Sequence, residues 1–494
     1  MSAIRFVLNG RAEAVEGVAP STMLLEWLRG SGLTGSKEGC AEGDCGACTV
    51  GLRSLSADGT LETHPACACI LPLPALHGRE VVTVEHLTRD GTLHPVQAAM
   101  AEGHGSQCGF CTPGFVMSLW CAAEAGLATE RRAVADQLAG NLCRCTGYGP
   151  ILDAAVAAGS RPARAGDAAD RAAAPGRIAA LNAGALDYAA DARRAIVPES
   201  LDALAEAAAA HPEATIVSGA TDVGLWITKE GFDPAVMIFT HRVAALRAVE
   251  RREGWLHLGA GLSYAAALPV LEAEWPELGR LMRRIGGAQV RGAGTIGGNV
   301  ANGSPIGDMA PALIALGARL CLRHGATERE IALEDFFIDY GRQDRAPGEI
   351  VTGLRVPLGM PLSAHKVSKR FDQDITAVLG CFSIRLEGAG LEGAGLEGAR
   401  VAEARLAYGG MAGVPKRAGA AEAALTGAPW SGETVAAAME AMAADFTPLS
   451  DMRASAWYRL TVAQNLLLRH FLESGQVTGP TRLDRLAPLA EAGL

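Results

Sequence analysis

The chain has 494 residues, of which 49% are hydrophobic and 20% charged, and its formal net charge is −10. A domain takes about 100–200 residues, so this length predicts about three or four domains. The acidic balance argues against nucleic acid as the main partner, because phosphate binding needs a basic face. No apolar run reaches the ~18 residues of a membrane span and the N-terminus has no secretory pattern, so we expect a cytoplasmic protein without a membrane partner.

The first residues predict a small α+β domain over 1–88. Ile4 to Leu8 is apolar and β-prone, and Asn9-Gly10 follows, which indicates a hairpin. A short helix is predicted after Pro20, followed by a cysteine-rich loop and a strand at 81–84. Ten of the 12 cysteines lie in the first 145 residues. This clustering predicts metal chemistry, because clustered cytosolic cysteines more often bind metal than form disulfides.

The first cysteine motif is the loop Cys40-Ala-Glu-Gly-Asp-Cys45-Gly-Ala-Cys48. This spacing is typical of plant-type 2Fe–2S clusters, whose fourth cysteine lies farther along the chain. The fourth ligand here is either Cys67 or Cys69. Glycines at 39, 43 and 46 allow the loop to wrap a cluster with its N–H groups toward the sulfurs. The alternative is a zinc site, although zinc ligands more often come as two Cys-x-x-Cys or Cys/His units.

Residues 89–160 predict a helical domain that carries a second set of cysteines. Helices are expected at 95–101, 113–125, 130–138 and 150–157. Cys108 and Cys111 precede one helix start, and Cys143 and Cys145 precede another. The partial positive charge at helix N-termini stabilises thiolates, and a Cys-x-Cys pair is unusual for zinc, so an iron–sulfur site is favoured. Cys121, in mid-helix, is predicted to be a core residue.

The segment 161–184 is predicted to be a linker, and 185–360 a mixed α/β domain with two glycine-rich turns. Thr215 to Asp222 runs from an apolar strand into small residues, and Arg291 to Asn299 contains the second turn. Backbone N–H groups in such turns can approach a pyrophosphate. Residues 292–297 also match Gly-x-Gly-x-x-Gly. We reject the dinucleotide fingerprint because no helix pattern follows and no acidic residue lies about 20 positions on.

A further α+β region is predicted over 364–480. Within it, Leu386–Ala399 repeats Leu-Glu-Gly-Ala-Gly almost perfectly. This repeat is predicted to be an expanded turn between two strands, without functional content.

Together these motifs resemble the molybdenum hydroxylase family, and within it most closely the bacterial xanthine dehydrogenases. The resemblance rests on both cysteine sets, on Thr295-Ile-Gly-Gly-Asn299 with Ser304-Pro-Ile-Gly-Asp308, on Lys369-Arg-Phe-Asp-Gln-Asp-Ile375, and on Gly409-Gly-Met-Ala-Gly-Val-Pro-Lys416-Arg417-Ala. It covers nearly the whole chain and implies a multidomain α+β fold. The domains would be a ferredoxin-like β-grasp domain (1–88), a four-helix 2Fe–2S domain (89–160), a linker (161–184), a vanillyl-alcohol-oxidase-type FAD domain (185–360) and a CO-dehydrogenase-flavoprotein-like C-terminal domain (364–480).

The resemblance also implies the residues that hold two 2Fe–2S clusters and one FAD. The cluster ligands would be Cys40, Cys45, Cys48, Cys69, Cys108, Cys111, Cys143 and Cys145. Cys69 is preferred to Cys67 because the Ile-Leu-Pro-Leu that follows it resembles the family pattern. The FAD ligands would be Thr215, Ile216, Val217, Ser218, Gly219, Ala220, Thr221, Asp222, Thr295, Ile296, Gly297, Gly298, Asn299, Asp308, Val351 and Lys366.

Two further positions bear on the flavin by the same resemblance. The loop Asp372–Asp374 would lie near the flavin face where nicotinamide docks. Ile285 stands where animal members of the family carry a phenylalanine over the flavin, which implies a more open flavin face.

The implied function is that of an electron-transfer subunit. In this family the substrate is oxidised at a molybdopterin centre in a separate domain, so a large partner subunit would supply that centre, in a heterotetramer of two small and two large subunits. Gln107 and Cys145 would face the pterin, and no catalytic residue for hydroxylation is expected in this chain. Electrons would run from molybdenum through the second cluster, the first cluster and FAD to NAD, as hypoxanthine and xanthine are oxidised to urate.

Two alternatives stay open. One is the same role in an aldehyde- or N-heterocycle-oxidising relative, and the other is a freestanding iron–sulfur flavoprotein carrier.

Overall fold

The computed structural model describes residues 2–56, 58–126, 130–162, 164–388, 398–475 and 481. Within these ranges the strands form five sheets, and no helix is long and apolar enough to cross a membrane.

The N-terminal domain is one five-stranded sheet with a short helix across it. Its elements are β1 (Ile4–Leu8), β2 (Arg11–Val15), α1 (Leu24–Gly30), β3 (Thr49–Leu55), β4 (Leu61–Cys67), β5 (Glu80–Val82) and α2 (Val84–Leu87). The strand order is β2-β1-β5-β3-β4, with β1 and β5 parallel. Asn9 (φ 50°) and Gly10 (φ 81°) make the tight turn between β1 and β2, which confirms the predicted hairpin.

The second domain consists of four helices, as predicted. They are α3 (Pro95–Glu102), α4 (Thr112–Glu124), α5 (Arg131–Leu138) and α6 (Gly149–Gly159). Val96, Phe115, Trp120 and Ile151 meet in its core. Cys121 is buried in the same core, which confirms its prediction as a core residue.

A sixteen-residue helix, α7 (Ala165–Ala180), occupies most of the segment predicted to be a linker. Arg177 of α7 binds Glu80 at 2.7 Å, and Asp170 binds the buried Arg53 of β3 at 2.9 Å. Arg53 also binds Glu124 of α4 at 2.7 Å. Helix α7 is therefore held on both preceding domains. The linker prediction missed it because its composition is rich in Ala, Arg and Asp. Its buried apolar stripe is short, formed by Ala174, Ile178 and the flanking Leu181, and ion pairs with residues distant in sequence add to it.

The third domain, called the central domain here, contains two larger sheets, one two-stranded sheet and several helices. Its elements are β6 (Leu186–Ala190), β7 (Arg193–Val197), α8 (Leu201–Ala210), β8 (Thr215–Val217), α9 (Val223–Glu230), β9 (Val236–Phe239), β10 (Val249–Arg252), β11 (Trp255–Gly259), α10 (Tyr264–Glu274), α11 (Pro276–Arg283), α12 (Ala288–Ala293), α13 (Ile296–Asn302), α14 (Met309–Ala315), β12 (Arg319–His324), β13 (Thr327–Ala332), α15 (Leu333–Phe336), β14 (Phe337–Asp339), β15 (Arg342–Gln343) and β16 (Ile350–Pro357). The sheets have the orders β6-β7-β9-β8 and β10-β11-β16-β12-β13, and β14 pairs with β15.

The C-terminal domain packs three helices on an antiparallel sheet of order β17-β18-β19-β20. Its elements are β17 (Ser363–Val367), β18 (Val378–Glu387), β19 (Arg400–Gly409), β20 (Lys416–Arg417), α16 (Gly419–Leu425), α17 (Gly432–Asp445) and α18 (Ala456–Glu473). Strands β18 and β19 pair as far as Glu387 and Arg400. The repeat predicted as a turn between two strands therefore falls between these partners, but residues 389–397 lie outside the described residues.

The N-terminal and central domains share one hydrophobic core. Phe6 and Leu24 of the N-terminal domain belong to the same buried cluster as Tyr188, Met237 and Phe239 of the central domain. The backbone of α9 also passes close to the turn at residues 68–70, since a Cβ at Gly224 would overlap the carbonyl of Ile70. This packing fixes the cysteine loop of the first domain against the central domain.

Candidate functional site

The loop of the first cysteine set wraps inward as predicted. Ala41 (φ 53°) and Gly46 (φ 68°) both adopt left-handed backbone conformations. The N–H groups of Glu42 and Cys45 donate to the Cys40 sulfur, each at 3.4 Å. At Gly46 glycine is required twice over, because a side chain there would also overlap the carbonyl of Gly140.

The thiols of the first set contact one another. Cys40 shares hydrogen bonds with Cys45 and Cys69, and these lower the pKa of Cys40. Cys69 shares hydrogen bonds with Cys40 and Cys48, and these bonds together with burial raise the pKa of Cys69. Cys69 therefore joins the loop cysteines directly, as expected of a fourth ligand.

Cys67, the other candidate, is also close. Its thiol contacts Cys48 and lies 3.4 Å from the carbonyl of Gly43. Among the described residues, no group of three or more His, Cys, Asp or Glu side chains is arranged to hold a single metal ion. The thiols contact one another in the order Cys45, Cys40, Cys69 and Cys48. Four cysteines in such an arrangement fit a two-iron cluster, because each iron takes two of them.

The second cysteine set lies where two helices begin. Contact with Cys143 and burial raise the pKa of Cys111 to about 12, burial being the larger cause. Burial opposes ionisation of Cys143, but hydrogen bonds with Thr146 outweigh it and lower the pKa of Cys143. Cys145 shares a hydrogen bond with Cys108, and both of these residues are exposed. The two pairs precede α4 and α6, as predicted.

The two cysteine sites are joined by direct hydrogen bonds. The N–H of Leu142, next to Cys143, donates to the carbonyl of Cys45 at 3.0 Å. The side-chain amide of Asn141 donates to the carbonyl of Gly46 at 3.1 Å. The loop of the first set and the segment before Cys143 therefore form one unit.

A cleft of about 520 Å³ lies between the glycine-rich turns of the central domain. Most of the predicted flavin residues line it: Thr215, Ile216, Ser218, Gly219, Ala220, Thr221, Asp222, Thr295, Gly297, Gly298, Asn299 and Val351. Val217 and Ile296 are fully buried in the core and are not among its lining residues.

The cleft fits an elongated polar ligand. The Oδ1 of Asn299 is buried and has no hydrogen-bond partner. Ala220 is held at φ 61°, and the turns are so tight that a Cβ at Gly297 would overlap the backbone of Ala260. An orphaned acceptor, small residues and accessible backbone N–H groups are what a dinucleotide pyrophosphate and ribose require. FAD would therefore be held by these turns and would supply the chain's redox chemistry at this end.

One boundary of the cleft was not predicted. Glu42, Gly43 and Asp44 of the first cysteine loop line it. Two hydrogen bonds hold this loop on α9, from Thr228 Oγ1 to the carbonyl of Ala41 at 2.9 Å and from Lys229 Nζ to that of Cys40 at 2.6 Å. No local pattern indicates this contact, because it depends on how the two domains dock.

Two predicted flavin residues, Asp308 and Lys366, lie behind the cleft rather than on its surface. They form a buried ion pair at 2.6 Å, and Asp308 also accepts from Thr376. Lys366 Nζ donates to the carbonyl of Arg284 at 3.0 Å, and the next residue, Ile285, lines the cleft. The pair therefore positions the cleft's edge.

One of the two reasons given for rejecting the dinucleotide fingerprint, the absence of a following helix, is wrong, although the rejection itself stands. A helix does follow the glycines, because Thr295 caps α13 by accepting from the N–H of Gly298 at 3.1 Å. The fingerprint requires glycines that follow a strand, whereas Gly292 lies within helix α12 and Gly294 ends it.

A second cavity, of about 700 Å³, adjoins the cleft on the other side of residues 284–285. Eight basic side chains line it: Arg132, Arg280, Arg283, Arg284, Lys366, Lys369, Arg370 and Arg469. The three acidic lining residues are Asp136, Glu272 and Asp372. We call it the basic cavity, and its basic lining residues outnumber its acidic ones, which favours an anionic ligand. Five of the basic side chains form ion pairs with carboxylates: Arg280, Arg283, Lys366, Arg370 and Arg469.

Four family models match the chain in order. They are described as 2Fe-2S iron-sulfur cluster binding domain (residues 6–73), [2Fe-2S] binding domain (83–156), FAD binding domain in molybdopterin dehydrogenase (191–359) and CO dehydrogenase flavoprotein C-terminal domain (363–474). The chain belongs to the molybdenum hydroxylase family. It carries that family's iron–sulfur and FAD domains, and its fold is multidomain α+β, as the sequence implies.

Two relatives are about 30% identical to this chain. The xanthine dehydrogenase of Emericella nidulans is 31% identical over 90% of this chain and 36% of that protein. Aldehyde oxidase 1 of Cavia porcellus is 32% identical over 72% of this chain and 31% of that protein. This chain thus spans about a third of the length of these relatives.

Among solved structures, a chain of carbon monoxide dehydrogenase from Hydrogenophaga pseudoflava matches with a TM-score of 0.52 and 25% identity. The match covers 57% of this chain and 96% of that one.

Replacing Asp308 with asparagine is expected to weaken FAD binding. Removing one partner of a buried ion pair costs about 3–5 kcal/mol, and here it leaves the Lys366 ammonium uncompensated at the edge of the cleft. If a third of that cost reaches the cleft, FAD affinity falls about tenfold, as 1.4 kcal/mol corresponds to a factor of ten. Flavin absorbance per protein after gel filtration measures this. Asp233→Asn, at an exposed carboxylate paired with Arg193, is the control, and flavin retained equally in both variants would contradict the prediction.

Proposed function

We propose that this chain is the electron-transfer subunit of an NAD-dependent xanthine dehydrogenase. The observation that carries the proposal is the order of the sites. The exposed second cysteine site is hydrogen-bonded to the first cysteine site, and the loop of the first site lines the flavin cleft. When bound, the clusters and the flavin supply one continuous path for electrons through this chain.

A partner subunit at the second cysteine site is supported by exposed apolar side chains around it. Phe110 is 48% exposed, and Leu142 and Tyr148 are also exposed beside Cys108 and Cys145. Such a patch at a redox site is typical of a protein interface. We propose that the partner carries molybdopterin, that Gln107 and Cys145 face it, and that two copies of each subunit assemble.

NAD as the electron acceptor is supported by the basic cavity. A nicotinamide dinucleotide carries two phosphate charges, and the cavity has an excess of basic side chains. Asp372 lines it, as does Arg284, and the next residue, Ile285, lines the flavin cleft. Ile285 at this boundary is smaller than an aromatic ring, which leaves the flavin face more open.

Xanthine and hypoxanthine are proposed as the substrates, and the cytoplasm as the location. The relative from Emericella nidulans supports the substrate, since it matches along 90% of this chain. The second candidate is the same role in an aldehyde-oxidising enzyme, which the Cavia porcellus relative favours.

The proposal predicts that Cys145→Ser separates two activities. The chain alone is expected to pass electrons from NADH to an artificial dye, because that route uses the cleft and the basic cavity. With the large subunit added, it is expected to support xanthine-dependent NADH formation. Cys145→Ser is expected to keep the dye reaction within about twofold and to lower xanthine turnover at least about 100-fold, because it removes a ligand of the cluster nearest the partner.

Cys321→Ser, in strand β12 of the central domain and outside both cysteine sets, is the control for this experiment. Xanthine turnover by the isolated chain would overturn the need for a partner. Turnover with aldehydes but not xanthine would favour the second candidate. Peroxide formed at the same rate with and without NAD would contradict NAD as the acceptor.

A further inference from the structure

Four buried polar side chains meet where the three cofactor-binding domains touch. They are Thr49, Ser118, Asn141 and Gln289, and their exposures run from 0 to 3%. Thr49 follows the first cysteine loop, Ser118 lies on α4, and Asn141 precedes Cys143, whereas Gln289 comes from α12 of the central domain. We call this group the junction cluster.

The donors and acceptors of the junction cluster allow one arrangement. Gln289 Nε2 lies 3.0 Å from Thr49 Oγ1 and 3.1 Å from both Ser118 Oγ and Asn141 Oδ1. The two hydroxyl protons are used elsewhere, since Ser118 donates to Asn141 Oδ1 at 2.6 Å and Thr49 donates to the carbonyl of Gly46 at 2.6 Å. All three neighbours therefore present lone pairs, so position 289 must supply N–H donors, and the two protons of Gln289 Nε2 are shared among the three acceptors.

The backbone is shaped to admit this side chain. A Cβ at Gly140 would overlap Gln289 Oε1, and a Cβ at Gly287 would overlap the backbone of Gly140. The backbone of the central domain therefore contacts the backbone of the segment before Cys143 directly, and the Gln289 side chain lies next to this contact.

The junction cluster reaches a sulfur of the first cysteine site through a single peptide group. Thr49 and Asn141 both donate to the carbonyl of Gly46. The N–H of Ala47 belongs to the same peptide group and faces the Cys45 sulfur as a potential donor. Hydrogen bonds in such a chain polarise one another, so donation to the carbonyl strengthens the bond to the sulfur.

We propose that Gln289 is a positioning residue that couples the seating of the central domain to the reduction potential of the first 2Fe–2S cluster. Hydrogen bonds to cluster sulfurs stabilise the more negative, reduced form and so raise the potential. With Gln289 in place, the Gly46–Ala47 peptide is held in position and polarised. The reduction potential of the first cluster is therefore kept higher. The flavin-bearing domain thereby adjusts the carrier that lies beside its own cleft.

The test compares Gln289→Glu and Gln289→Met in the assembled protein, by potentiometric titration with dithionite and redox dyes and with electron paramagnetic resonance as the readout. Glutamate has the shape of glutamine, but its carboxylate oxygens would face the acceptor oxygens of Thr49, Ser118 and Asn141. Methionine keeps the length of the side chain but can neither donate nor accept a strong hydrogen bond. Gln289→Glu is expected to lower the potential of the first cluster by a tenfold shift in its one-electron equilibrium, about 59 mV. Gln289→Met should lower the potential of the first cluster by less. The potential of the second cluster should change least in both variants. Neither measurement uses xanthine or NAD, so failure here is distinct from failure of the proposed function.

Gln464→Glu is the matched control, because Gln464 donates to a carbonyl in the C-terminal domain, away from the cofactor sites. Potentials and resonance spectra that are unchanged in both Gln289 variants would overturn the proposal. Loss of iron or flavin in both variants would also overturn it, since Gln289 would then only maintain the fold.

Discussion

Replacing Cys69 with serine is expected to lower the iron content from about four to about two per chain and to abolish the spectrum of the first cluster. The Cys69 thiol contacts both Cys40 and Cys48. A serine hydroxyl is a poorer ligand than a thiolate, so the cluster loses one of its four attachments. The second cluster should keep its spectrum, because its cysteines belong to the four-helix domain, in the segments before α4 and α6. Iron analysis with electron paramagnetic resonance measures both effects.

Cys67→Ser is the matched control for this experiment. Cys67 lies two residues away and is equally buried, but among the first-set cysteines it contacts Cys48. We expect the iron content to stay at about four per chain. Loss of the first cluster in Cys67→Ser and its retention in Cys69→Ser would reverse the choice of ligand.

Replacing Arg53 with methionine is expected to destabilise both cluster domains strongly. Arg53 is 1% exposed and binds Glu80, Glu124 and Asp170. Removing it leaves three largely buried carboxylates with too little positive charge, and breaking a buried ion pair in this way costs about 3–5 kcal/mol. Backbone amides of β3 and α7 should then exchange hydrogen at least about 100-fold faster, since each 1.4 kcal/mol is a factor of ten.

The control for Arg53→Met is Arg251→Met, at an exposed pair with Glu274 on the central domain. Exposed pairs contribute about 0–1 kcal/mol, so amide exchange should change little. Equal exchange rates in the two variants would show that the ion pairs around α7 do not hold the domains together.

The cysteine sites and the four helices between 95 and 159 could be predicted because their signals are local. Ligand spacing and proline at the first turn act within a few residues. Helix α7 escaped prediction because its buried apolar stripe is short and much of its attachment is to Arg53 and Glu80, which are distant in sequence. Helix α13 escaped because its glycines are poor helix formers, although the Thr295 cap compensates.

The sites between domains could not be predicted. Asp44 reaches the flavin cleft, and Gln289 reaches the junction cluster, only after the domains dock. In the sequence each is an ordinary polar residue. Asp308 and Lys366 show the reverse case, because family resemblance assigns them to the flavin and the geometry makes them a supporting pair behind the cleft.

The hydrophobic core shared by the N-terminal and central domains has a consequence for how such chains can be divided. If the backbone were cut near residue 184, Phe6 and Leu24 would remain on one fragment, and Tyr188 and Phe239 on the other. Each fragment would then expose an apolar face of the kind found in obligate heterodimers rather than transient complexes. Gene fission at this point would therefore yield two permanently associated subunits, and the flavin half would not be a freely exchangeable module.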